Sequence, residues 1–98
     1  MTTTQILEHL ANLTLTPPDY FATLSDDGLF TQYINLSREA RRNGLAGDER
    51  NARRLVLASL LVNAYLTMRE NRTMYASTLP DLEHRVKAFF IFEQNFNR

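Results

Sequence analysis

The sequence predicts an all-α domain, a small helical bundle of four principal helices with one short one, and three observations carry that expectation. Apolar side chains recur at helical spacing along most of the chain, start signals precede those stretches, and strand signals are weak with only three glycines in 98 residues. A chain of this length supports one modest core and not two, so residues 1–98 are expected to form a single helical domain.

Thr2 with Gln5 three residues later reads as a capping box, and Ile6, Leu7, Leu10 and Leu13 follow at helical spacing. A first helix over about 3–13 results. Thr16 before Pro17, Pro18 and Asp19 reads as an N-cap ahead of prolines that suit a first turn, giving a short helix near 17–24 that carries Tyr20, Phe21 and Leu24. Ser25 caps a third helix, over about 26–43, with Asp26 and Asp27 at its positive end and Asn43-Gly44 as a left-handed stop. Leu29, Phe30, Tyr33, Ile34, Leu36 and Ala40 share its apolar face.

After the link Leu45 to Gly47, a fourth helix over about 48–70 opens on Asp48 and Glu49 and continues into the apolar run Leu55 to Met68. One narrow stripe of Ala52, Ser59, Asn63, Thr67 and Glu70, with Val56 among them, interrupts an otherwise apolar circumference, so this helix is expected at the centre of the bundle. The fourteen-residue run falls short of the roughly 20 residues that span a bilayer, which reads as a core helix and not a membrane anchor. Thr78 before Leu79, Pro80 and Asp81 predicts the start of a fifth helix over about 79–95. Its core face is Leu79, Leu82, Val86, Phe89, Phe90 and Phe96, with Phe92 at the margin and Ile91 projecting among Lys87, His84 and Asn95.

Met1 to Gln5 holds no basic residue and no apolar run follows, which argues against a secretory signal and toward a cytoplasmic protein. Three glycosylation-like triplets, at Asn12, Asn35 and Asn71, then carry no meaning. Cysteine is absent, so neither a disulfide framework nor a thiolate metal site is available. No phosphate loop, zinc-protease motif or cysteine nucleophile occurs, and there are two histidines, His9 and His84. Asp81 and His84 share a helical face near Glu83, which suits a solvated first turn better than a metal site; His9 beside Glu8 reads the same way. The expectation is a non-enzymatic protein with no cofactor and no metal.

Charge is distributed unevenly. Formal net charge is zero, yet residues 1–37 hold Glu8, Asp19, Asp26 and Asp27 with no Lys or Arg, whereas residues 38–72 hold eight arginines against four acids. Arg38, Arg41, Arg42, Arg50, Arg53 and Arg54 flank the turn at Asn43 to Gly47, and a helix hairpin would gather them at one end. Guanidinium is a planar fork for carboxylate or phosphate and stacks on aromatic rings. Three readings meet on this cluster. Internal pairing would join Arg38 and Arg42 to Glu39, Arg53 and Arg54 to Asp48 and Glu49, and others to the acidic first third. Phosphate contact on nucleic acid is a second choice, weakened by the neutral balance and by Arg50 at a position that a helix-turn-helix needs apolar. Contact with an acidic protein surface is the third, and arginine is enriched at such interfaces.

Apolar residues on nearly every side of 89–92 exceed what one neighbour covers, which marks Ile91, Phe92 and Phe96 as an apolar interface and makes a homo-oligomer, commonly a symmetric dimer, an expected partner. Together these features point to a small interaction protein, an adaptor, inhibitor or regulatory subunit. It would meet an acidic protein partner through the arginine-rich hairpin end and the apolar last helix, with nucleic-acid binding at Arg38 to Arg54 as the alternative.

Overall fold

Five helices in chain order make up the computed structural model, which describes residues 1–96: α1 Thr3–Thr14, α2 Pro18–Thr23, α3 Asp26–Leu45, α4 Glu49–Glu70 and α5 Arg72–Phe96. The capping signals explain most of the boundaries. The Thr2 hydroxyl accepts from the Gln5 N–H while Gln5 Oε1 accepts from the Thr2 N–H, so both halves of the capping box are made. Ser25 Oγ accepts from the Gly28 N–H at 3.1 Å, and Asp48 Oδ1 from the Asn51 N–H at 3.1 Å. Asp48 is therefore the cap of α4 and not a member of its first turn.

Three boundaries differ from expectation. α2 has Pro17 at its cap position with no side-chain bond, and Thr16 instead donates its hydroxyl to the Thr14 carbonyl. α3 does not stop at Asn43-Gly44; it continues to Leu45, and the left-handed residue is Gly47 at φ +85°, where glycine carries no Cβ penalty. The fifth helix begins at Arg72, not at 79, and runs through Pro80. Proline lacks an N–H to donate to the Ala76 carbonyl, so Thr78-Leu79-Pro80-Asp81 is a flawed interior and not a start.

α4 is the hub. It packs extensively against α3, α5 and α1, while α2 rests on α1. The apolar run explains this placement: Leu55, Leu57, Ala58, Leu61, Val62, Ala64, Tyr65 and Leu66 are all buried. Ser59, which belongs to the expected polar stripe, is buried too and satisfies its hydroxyl on the Val56 carbonyl at 2.7 Å. α1 contributes Ile6, Leu10 and Leu13, α2 contributes Phe21, α3 contributes Leu29, Leu36 and Ala40, and α5 contributes Leu82 and Val86. Phe30, Phe90 and Phe96, read as core from their spacing, are instead exposed.

Polar bonds lock the periphery. Arg69 near the end of α4 donates to the carbonyls of Leu24 and Ala22 at 2.7 and 3.1 Å and reaches Asp26 at 3.4 Å, so it ties the α2–α3 link to α4. Tyr75 donates its hydroxyl to the Met1 carbonyl, and Glu83 takes the Met1 amino group, which fastens the start of α1 to α5. No helix among the described residues is long and apolar enough to cross a membrane.

Candidate functional site

The six arginines flank the α3–α4 turn, three on α3 and three on α4, and their contacts divide them into two groups. Arg50 points at α5. Its Nε and Nη2 donate to the Glu93 carboxylate, the shortest bond being 2.6 Å, and its guanidinium carbon lies 5.0 Å from the centre of the Phe96 ring. The hydrogen bonds from Arg50 hold the Glu93 carboxyl below the usual carboxylate range and raise Arg50 further above its own.

Arg53 pairs with Glu49 one turn back at 2.8 Å and stacks 4.3 Å from the Phe92 ring centre. Arg54 turns the other way: its Nη1 donates to the Leu13 carbonyl at 2.7 Å, closing the last turn of α1, while its Nε is buried without a partner. These three side chains hold α1 and α5 against α4. Arg38, Arg41 and Arg42 on α3 are exposed and make no ion pair with any described residue. The expected pairing of Arg38 and Arg42 with Glu39 is not formed, nor is that of Arg54 with Asp48 or Glu49; the Arg53–Glu49 pair is.

A groove of about 650 Å³ opens over α4 between the end of α3 and α5. That volume falls within the range of about 300–1,000 Å³ seen for ligand clefts. Its floor is one ridge of α4, Ala52, Val56 and Leu60, spaced four residues apart. One wall is α5 through Ala88, Phe89 and Phe92, and Gly44 and Gly47 line the groove where α3 meets the α3–α4 turn. Gly44 leaves the edge of α3 bare there; a Cβ added to it would stand 3.8 Å from the Ala52 Cβ, in ordinary contact. Arg53, Arg85 and Glu49 stand at the rim. Val56 is 45% exposed, a large apolar residue held open to solvent in the middle of the hub helix.

The apolar trio read from the sequence divides as well. Phe92 lines the groove. Phe96 lies beneath Arg50 and lines a second depression between α1, α4 and α5 that also holds Arg54 and Glu93. Ile91 is 59% exposed and lines neither.

His9 packs its ring 5.6 Å from Phe90, and Asp81 is engaged by Arg85 at 2.9 Å rather than by His84. Among the described residues, no three His, Asp or Glu gather at metal-binding separations. Val56, Leu60 and Ala88 are the residues that spacing alone overlooks. Their signal is faint: Val56 stands as the one large apolar side chain in the narrow polar stripe of α4. The chain matches no protein-family model, and comparison with curated proteins and with solved structures returns no match.

Proposed function

We propose that the chain is a small non-enzymatic interaction protein, an adaptor, inhibitor or regulatory subunit, that binds a protein partner at the end of the bundle where the α3–α4 turn faces α5. One observation carries the reading: the open apolar groove over Val56, which exposes side chains that an isolated bundle would gain by covering. Burying apolar surface is the general driving force of protein association, and arginines at the rim supply orientation. A photo-reactive residue placed at position 56 of the full chain tests it in the native cells. A discrete protein adduct at 56, absent when the probe sits at exposed Thr31, is expected; adducts to nucleic acid alone, or none beyond those at Thr31, overturn the reading.

Phosphate contact is the second reading, and it rests on the exposure of Arg38, Arg41 and Arg42 without acid partners among the described residues. Three phosphate contacts would give a log–log salt slope of about −3 between roughly 50 and 200 mM salt. Fluorescence anisotropy with mixed-sequence DNA and RNA, beside Arg41→Glu/Arg42→Glu, reads that slope directly; no binding at the lower salt removes this alternative.

A further inference from the structure

The geometry points to an acidic amphipathic helix, presented by a protein partner, as the occupant of the groove between the α3–α4 turn and α5; this inference rests on the protein-binding reading above and specifies its chemistry. Shape gives the first half of the argument. The floor residues Ala52, Val56 and Leu60 form a four-residue ridge, and Arg85, Ala88, Phe89 and Phe92 repeat along α5 at intervals of three, four and seven. Such a trough accepts a third helix by its own i, i+4, i+7 anchors. No strand occurs among the described residues, so no sheet edge offers the backbone pairing that an extended peptide needs.

Charge complementarity gives the second half. Arg85 lines the α5 wall. Arg41 stands on α3 one turn before Gly44, which lines the groove, and Arg38 stands one turn earlier again, neither lining it. Of the acids nearby, Glu49 is engaged by Arg53, Asp81 by Arg85, and Asp48 caps α4, while Glu39 beside Arg38 makes no ion pair with any described residue. Arg85 uses only its Nε on Asp81, which leaves the two terminal nitrogens of its fork for an incoming carboxylate. A helix with Leu-like anchors and Glu on its flanks would thus meet Arg85 and Arg53 beside the apolar floor, with exposed Arg41 one turn from Gly44. Phosphates would find no use for that floor.

The test titrates the 15N-labelled full chain with three synthetic peptides of about five helical turns: one with Leu anchors and Glu flanks, the same anchors with Lys flanks, and a scrambled acidic control. The acidic amphipath is expected to move the amides of Gly44, Gly47, Ala52 and Val56 and to bind at least about tenfold more tightly than the Lys version. Val56→Glu should abolish those shifts while circular dichroism stays unchanged, and Arg41→Glu/Arg85→Glu should weaken binding about tenfold with a shallower salt dependence.

Equal affinity for acidic and basic peptides, shifts mapping elsewhere, or no shift at about millimolar peptide each overturn the inference. So do amide shifts at the groove that appear with protein concentration alone, which would assign it to a second copy, or stronger shifts from an oligonucleotide. A protein adduct at position 56 together with no preference for the acidic peptide would remove this occupant and leave the protein-binding reading standing.

Discussion

Arg50 and Glu93 lie 43 residues apart in the chain and meet through three hydrogen bonds of 2.6 to 3.1 Å. With Arg53 on Phe92 and Arg50 on Phe96, these two arginines form a pair of clamps on about the last turn and a half of α5. The arginine cluster is therefore two devices: one internal on α4, one exposed on α3.

Acid should release the first clamp. The Glu93 carboxyl titrates below its ordinary range when folded, because Arg50 hydrogen-bonds its charged form. Its contribution is complete above the unfolded value of about 4.3 and is lost as pH falls through the lower folded value. Urea midpoints of the parent chain and Glu93→Gln, measured across that window, are expected to differ at neutral pH and to converge on acidification. A gap that stays constant to the acid end would show that the pair contributes nothing through its charge.

Substitutions should separate the two groups of arginine. Arg54→Ala removes the charged donor from the Leu13 carbonyl and is expected to cost about 1–3 kcal/mol. Arg42→Glu touches no described partner and should stay within about 0.5 kcal/mol of the parent. Thermal and urea unfolding of both variants check this; equal losses would mean that exposure does not distinguish them.

Pro80 weakens α5 from within. Alanine there would restore a donor for the Ala76 carbonyl, and proline is about 3 kcal/mol worse than alanine inside a helix. Pro80→Ala is expected to raise stability by about 1–3 kcal/mol and to slow hydrogen exchange over residues 72–79. An unchanged urea midpoint would count against one continuous helix from Arg72 to Phe96.

Local chemistry made much of this fold legible. Thr2, Ser25 and Asp48 announce helix starts through side-chain geometry confined to four residues, and Ile6, Leu10 and Leu13 fix a face by spacing alone. Where local signals allow two outcomes, tertiary contacts decide. Thr78-Leu79-Pro80 suits a helix start, yet Tyr75 bonded to Met1 and Leu82 packed in the core continue the helix on both sides of it. The candidate site was less legible for the same reason. Arg50 reaches Glu93 and Arg54 reaches Leu13 across more than forty residues, and no sequence pattern specifies such partners. The groove is lined by the end of α3, by α4 and by α5, a relation between helices and not a property of any one of them.

The hub arrangement also bears on how the chain assembles. α3 and α4 share the most extensive packing in the molecule and are joined by only Ala46, Gly47 and Asp48. Closing so short a loop loses little chain entropy, and contacts near in sequence are the ones a folding chain finds first. The α4–α5 link, Asn71 alone, is shorter still, so α3, α4 and α5 are tied together by short loops and α1 packs onto α4 from farther along the chain. Gly47, at φ +85°, both turns the chain between α3 and α4 and lines the groove, so one residue serves the connection and the site.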